Sequence, residues 1–227
     1  MNNLFKKKKK YFYLITPSEL LTKRLPLKKY LIILNEVLKT KKIKFLQLRL
    51  KKKTKSQILD TLKKISFLCK KNKTIFFVND YSNDQILKFC DGVHLGQKDI
   101  SKSKVDRILS KKKFLGITCH NSKDFVKKAI DLKPNYISFG SFFNTKTKKT
   151  KYRATIKNIN WFKKNFSLPC AAIGGLNSKN CKKIVKTECD LLAISSGIWN
   201  FKKGPIEAIN LFNKILNNKI WKYLLTK

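Results

Sequence analysis

A chain of 227 residues with 42% apolar side chains can bury one large core, which excludes a wholly disordered protein. Its charge is lopsided, with 53 Lys and Arg against 13 Asp and Glu and a formal net charge of +40. Only Arg24, Arg49, Arg107 and Arg153 are arginine, the residue that base-specific contacts lean on, so the lysine excess reads as solvated helix faces and not as a sequence-reading surface.

Taken in chain order, residues 1–10 form a basic N-terminal tail that enters a first predicted strand, Tyr11–Ile15. That apolar run stops at Thr16-Pro17 without a small-residue cleavage pattern, which speaks against a secretory signal. A helix is predicted over Leu27–Lys39 and a strand over Ile43–Leu48. The next helix, Lys55–Lys71, repeats Ile58, Leu59, Leu62, Ile65 and Leu68 at helical spacing. Strands are then predicted at Thr74–Val78, Gly92–His94, Phe114–Thr118 and Tyr136–Phe139, followed in turn by helices at Asn83–Phe89, Lys104–Leu109, Ser122–Leu132 and Ile156–Asn165. The last two units are Cys170–Ile173 with Ser178–Lys186, and Leu191–Ile194 with Pro205–Leu216. A helical tail over residues 220–227 closes the chain, with Trp221 as its packing anchor.

Brief apolar strands bounded by turn residues and alternating with amphipathic helices indicate α/β architecture, and eight such units indicate a single (β/α)8 TIM barrel. No linker or composition break divides the chain, so one domain is expected over residues 1–227. The six cysteines show no C-x-x-C pair and no zinc spacing, which fits buried thiols in a reduced, cytoplasmic compartment. No apolar run is long enough to span a bilayer, and no membrane partner is expected.

A barrel of this kind builds its site at the C-terminal ends of its strands. Gln47, Arg49 and Lys51 alternate after the second strand, so all three face one way and can converge on an anion. Asn79-Asp80 follows the third strand, the run His94 to Asp99 the fourth, and Thr118-Cys119-His120 the fifth. Gly140-Ser141 and the stretch Asn144 to Lys148 follow the sixth, Gly174-Gly175 the seventh and Ser195-Ser196-Gly197 the eighth. Asp80 and Asp99 come after neighbouring strands, and a hard cation takes one or two carboxylates together with substrate phosphate oxygens. The Gly174-Gly175 and Ser195-Ser196 pairs lie where barrels commonly hold a phosphate on backbone N–H groups. The rim therefore suggests two anionic groups, one with a metal near strands two to four and one near strands six to eight.

Each feature has a plain structural explanation as well. Asn-Asp turns chains and Gly-Gly suits any tight turn, while His94 and His120 suit hydrogen-bonded residues at a barrel mouth. A Cys119 nucleophile served by His120 is disfavoured because adjacent strand residues face opposite sides. The joint order of the motifs around the barrel carries more weight than any one of them.

That order resembles the thiamine phosphate synthase family over essentially the full length. The family's Q-x-R-x-K segment is matched by Gln47, Arg49 and Lys51, and its N-D dipeptide by Asn79-Asp80. Its long D-G-[IV]-H-[IL]-G-Q-x-D run is matched by Asp91 to Asp99. The T-x-T-K segment is matched by Thr145, Thr147 and Lys148, the I-G-G by Ile173 to Gly175, and the strand-eight ending by Ala193 to Ile198. Departures are Leu50 where an acidic residue is frequent, Thr118 for a usual serine, and Ser141 and Asn144 for prolines.

The resemblance implies a transferase that joins an aminopyrimidine bearing a diphosphooxymethyl group to a thiazole phosphate, giving thiamine phosphate and diphosphate. It implies that Gln47, Arg49, Lys51, Asn79, Thr118 and Lys148 hold the pyrimidine diphosphate, with Arg49, Lys51, Lys148 and Thr118 acting in catalysis. It further implies that Asp80 and Asp99 bind Mg²⁺, and that Thr145, Thr147, Gly175, Ser195 and Ser196 hold the thiazole phosphate. A homo-oligomer is compatible with this, and no specific nucleic-acid partner is expected. The rivals are a thiazole tautomerase of the same barrel family, relying on His120, and a basic barrel protein that binds nucleic acid or membrane.

Overall fold

The computed structural model describes residues 9–50, 53–145 and 151–217. Eight parallel strands close in sequence order, each paired with the next and the last with the first. They are β1 (Tyr11–Ile15), β2 (Ile43–Leu48), β3 (Ile75–Asn79), β4 (Gly92–Leu95), β5 (Phe114–His120), β6 (Tyr136–Gly140), β7 (Cys170–Ile173) and β8 (Leu191–Ile194). The predicted (β/α)8 TIM barrel is the fold.

Alternation along each strand divides the core in two. In β1, Phe12 and Leu14 face the helix layer, whereas Tyr11, Tyr13 and Ile15 point into the barrel. There they meet Phe45, Phe77, Tyr136, Ala171, Leu191 and Ala193. The interior works by size complementarity. The Tyr13 ring lies 5.6 Å from Phe77 and 5.7 Å from Tyr136, so neighbouring positions must be small. A Cβ on Gly116 would sit 2.2 Å from the Tyr136 ring, and one on Gly92 2.5 Å from Phe77. Interiors packed at this density have no room for an added methyl group.

The outer layer comprises α1 (Leu27–Lys39), α2 (Lys55–Asn72), α3 (Asp84–Leu87), α4 (Lys102–Ser110), α5 (Lys123–Asp131), α6 (Ile156–Asn165), α7 (Lys182–Val185), α8 (Ser196–Trp199) and α9 (Pro205–Asn217). Thr54 starts α2 through a capping box with Gln57, satisfying two backbone donors that the helix leaves open. Ser101, Ser122 and Asn83 cap α4, α5 and α3 with their side-chain oxygens. Phe12 packs edge-on against Phe212 of α9, docking the last described helix beside the first strand.

Several boundaries differ from the sequence expectation for identifiable reasons. The predicted helix at Ser178–Lys186 shrinks to α7, because Asn177 Oδ1 accepts from the N–H groups of Lys179 and Asn180 and holds a turn there. Strand β5 runs two residues past Thr118, through a register shift that puts His120 at φ 52°. Asn83 is the cap of α3 and not part of it. The short α8 and a 3-10 turn at Gln97–Asp99 were not anticipated.

The basic tail also needs correction at its inner end. Lys10 is partly buried, and its ammonium donates to the carbonyls of Thr187 and of Cys189, the latter at 2.9 Å. Residues 1–8 and the helical tail at 220–227, with Trp221, lie outside the described residues. All six cysteines are buried and free, as their apolar contexts suggested. No helix among the described residues is long and apolar enough to cross a membrane.

Candidate active site

One cavity opens at the C-terminal ends of the strands, and all eight strands or the turns after them contribute to its wall. Gln47 and Arg49 reach it together from the end of β2, as their spacing required. Gln47 is buried. Thr16, after β1, bridges to β2 by accepting from the Arg49 N–H at 2.9 Å. Burial pulls the Arg49 guanidinium below its ordinary value, and the nearby Asp80 carboxylate opposes that shift.

Asp80 is held on every side. Its backbone takes φ 66°, a left-handed turn that Asp tolerates, and its N–H donates to the His94 carbonyl at 2.9 Å. The Gly96 N–H donates to Asp80 Oδ1 at 2.9 Å, and Asn79 Nδ2 donates to Oδ2. So Asn79-Asp80 does turn the chain, and the same turn delivers both side chains to the cavity. Burial and the neighbouring Asp99 carboxylate raise the Asp80 carboxyl, while the Gly96 N–H and Arg49 counter them. A Cβ built on Gly96 would stand 3.1 Å from Asp99 Oδ2 and 3.5 Å from Asp80 Oδ1, so both carboxylates crowd one small space.

Two acidic oxygen donors forced together in this way suit a hard divalent cation such as Mg²⁺. Among the described residues there is no cluster of three or more His, Cys, Asp or Glu side chains. Two carboxylates alone would leave the remaining positions of such a cation to substrate oxygens and water.

Across the mouth, Gly174 and Gly175 have φ 102° and 65°, which favour glycine. The loop after β6 lies directly on them. A Cβ on Gly175 would meet the Asn144 carbonyl at 2.3 Å, and one on Gly174 would meet Ser141 Oγ at 2.2 Å. Ser195 Oγ donates to the Thr16 carbonyl at 3.2 Å, linking β8 back to β1. Thr145, Gly175, Ser195 and Ser196 all line this side of the cavity. Lys51, Thr147 and Lys148 lie outside the described residues.

The family model for thiamine monophosphate synthase matches residues 12–198. The chain belongs to the thiamine monophosphate synthase family. The thiamine-phosphate synthase of Pelagibacter ubique is 45% identical over 205 residues, covering 88% of this chain and 95% of the relative. That of Rhodospirillum centenum is 32% identical over 170 residues, covering 75% and 82%. In fold, the chain is similar to a thiamine phosphate pyrophosphorylase from Pyrococcus furiosus, with TM-score 0.76 and 22% identity, over 95% of this chain and 96% of that one.

Several features of this family member escaped the sequence reading. Thr16 and Gly96 line the cavity but appeared only as parts of motifs, whereas His120, expected at the barrel mouth, does line it. His120 stacks on Tyr152, with ring centroids 4.0 Å apart and planes 12° from parallel. Its neighbour Cys119 is fully buried among apolar residues, and burial pushes the thiol up to about 12. Opposite orientation and a protonated thiol together rule out the Cys119–His120 nucleophile. His94 hydrogen-bonds to Tyr136 and Thr118 below the mouth, the environment foreseen for it.

Proposed function

We propose that the cavity joins an aminopyrimidine bearing a diphosphooxymethyl group to a thiazole phosphate, releasing diphosphate and thiamine phosphate. One observation carries the assignment of groups: a partly buried guanidinium, two crowded carboxylates, two amides and a hydroxyl share one wall, and the glycine-rich loops lie opposite. Arg49, Gln47, Asn79 and Thr118 would hold the diphosphate. Thr145, Gly175, Ser195 and Ser196 would hold the thiazole phosphate. Lys51, Thr147 and Lys148 extend the two sets by their place in the motifs.

The chemistry asks for little covalent help. The methylene carbon–oxygen bond breaks with its electron pair leaving on diphosphate, and the aminopyrimidine ring spreads the positive charge left behind. The thiazole nitrogen then forms the new bond to that carbon. Neither a protein nucleophile nor a general base is required, which fits a wall of cations, amides and hydroxyls. Arg49 and Thr118 offset the charge growing on the departing diphosphate, and the glycine side holds the thiazole in line. Asp80 and Asp99 would hold Mg²⁺, which when bound supplies positive charge to the diphosphate oxygens.

Turnover of the two phosphorylated substrates with and without Mg²⁺ tests the reading. Single-turnover formation of thiamine phosphate should slow in Arg49→Ala by a factor equivalent to about 2–4 kcal/mol. His120→Ala should retain the chemical step. Wild-type protein that forms no thiamine phosphate but isomerises the thiazole phosphate, an activity lost in His120→Ala, would instead favour a tautomerase.

A further inference from the structure

Directly beneath the cavity, side chains from four strands form a polar chain through an otherwise apolar interior. Tyr13 Oη and Tyr136 Oη are 2.8 Å apart, and Tyr136 Oη lies 2.8 Å from His94 Nδ1. His94 Nε2 lies 2.7 Å from Thr118 Oγ1. Tyr13 and Tyr136 are 2% and 1% exposed, so water does not compete for the bond between them, and His94, 6% exposed, lines the cavity above them. Thr118 lines the cavity itself. Its backbone carbonyl accepts from Gln97 Nε2, and its Oγ1 also accepts from Ser138 Oγ at 3.5 Å.

The proton order in this chain follows from which groups can give and take. Burial raises both phenols far above their ordinary values, so both keep their protons. Among the described residues Tyr136 Oη is the hydrogen-bond partner of Tyr13 Oη. The Tyr13 proton must therefore go to Tyr136, because the reverse direction would strand a buried donor. Tyr136 then gives its own proton to His94 Nδ1. A neutral imidazole that accepts at Nδ1 carries its hydrogen at Nε2, which points at Thr118 Oγ1. With His94 and Ser138 filling both acceptor positions, the Thr118 hydroxyl has only donation left, and it donates into the cavity.

We propose that the Tyr13–Tyr136 phenol pair fixes the Nε2–H tautomer of His94 and thereby makes Thr118 an obligate hydrogen-bond donor to the departing diphosphate. Tyr13, Tyr136 and His94 are positioning residues, and Thr118 is the catalytic residue they orient. The identity of the acceptor rests on the synthase reading above; the proton order does not. A hydroxyl that can rotate to accept would lose its advantage as the diphosphate gains charge, whereas a donor fixed in advance needs no reorganisation at that moment.

The test separates these two layers. The chain has only two histidines, so long-range ¹H–¹⁵N spectra of ¹⁵N-histidine protein are simple, and a His120→Asn sample assigns them. Above about pH 8, where imidazole is neutral, wild-type His94 should show an unprotonated Nδ1 and a protonated Nε2. Tyr136→Phe should lose that preference and slow single-turnover product formation about tenfold, a barrier change of about 1.4 kcal/mol, with substrate KM little changed. Thr118→Val should lose roughly a hundredfold in that rate, and Thr118→Ser, which restores the hydroxyl donor, should recover most of the loss.

A protonated Nδ1 in wild-type protein would overturn the proposal without any variant, even if Tyr136→Phe fails to fold. Equal rates in Thr118→Val and Thr118→Ser would overturn it too, as would an unchanged tautomer and rate in Tyr136→Phe. If wild-type protein forms no thiamine phosphate but His94 shows the expected tautomer, the synthase reading falls and the proton order stands.

Discussion

The two ends of the barrel use charge in opposite ways. At the floor, where the strands begin, the charged groups are satisfied by one another or by the backbone. Lys163 Nζ lies 2.6 Å from Asp190 Oδ2, which also accepts from the Cys170 N–H at 2.8 Å. Asp91 Oδ2 accepts from the Phe76 N–H at 2.8 Å, and the Lys113 ammonium donates to the Cys90 carbonyl at 2.9 Å. At the mouth, like charges are crowded instead: Asp80 stands beside Asp99, and the nearby guanidinium is partly desolvated. A protein folding only for stability would not leave two carboxylates facing each other. The floor is complete in itself, whereas the mouth is completed by what binds there.

That contrast is broken most sharply at the carboxylates. Asp80→Ala and Asp99→Ala should each lower Mg²⁺-dependent turnover by roughly a thousandfold, about 4 kcal/mol. Asp99→Ala removes one of two crowded like charges and should leave the melting temperature unchanged or raise it, whereas Asp80→Ala also gives up the Gly96 N–H acceptor and a residue suited to the left-handed turn and should lower it. Full Mg²⁺-dependent activity in either variant would remove the metal assignment.

Much of this was legible in the sequence, and what was hidden was hidden for physical reasons. Strands β1, β2, β7 and β8 were located to the residue, because barrel strands covered on both faces read as largely apolar runs between turn residues, with only Lys44 and Gln47 interrupting β2. The described site residues could be placed because strand ends in a barrel share one rim, so chain order translates into geometry. Hydrophobic pattern says nothing, however, about a left-handed residue at a strand end, and β5 was therefore cut short at Thr118 while His120 lay beyond it. The Tyr13–Tyr136 contact joins residues 123 apart, and tyrosine in an apolar strand looks like ordinary core. Lys10 was read as tail because a run of lysines does not reveal which one is folded under the barrel.

A smaller effect is expected at the floor, with the opposite signature. Asp190→Ala leaves Lys163, whose side chain is only 12% exposed, with the Leu168 carbonyl but no carboxylate, and leaves the Cys170 N–H without its carboxylate acceptor. The loss should be roughly 2–3 kcal/mol of folding stability, or about 5–10 °C in Tm for a domain of this size. Single-turnover rates measured well below the new Tm should match wild type. A large fall in rate with little change in Tm would mean that floor and mouth are not separable.

The smallest effect concerns Lys10 and shows as a slope against pH. Burial lowers its ammonium below the ordinary lysine value of 10.5, outweighing the pull of the neighbouring acidic groups. In the window just below 10.5 the unfolded chain therefore binds more protons at this position than the folded one, so stability contributed here rises with pH. Below the folded value both states are charged and the burial penalty is present in full; above 10.5 both are neutral and it is gone. Every other lysine adds to the general relief of a +40 chain as pH climbs, so wild-type data alone would not isolate Lys10. The difference between wild type and Lys10→Met does isolate it, because methionine keeps the apolar stem but cannot titrate. Denaturant unfolding at steps from neutral pH to about pH 10.5 should show the wild type gaining on Lys10→Met as pH rises. A difference that stays flat would place the Lys10 ammonium in solvent, and a difference that shrinks would mean that its two carbonyl contacts outweigh desolvation.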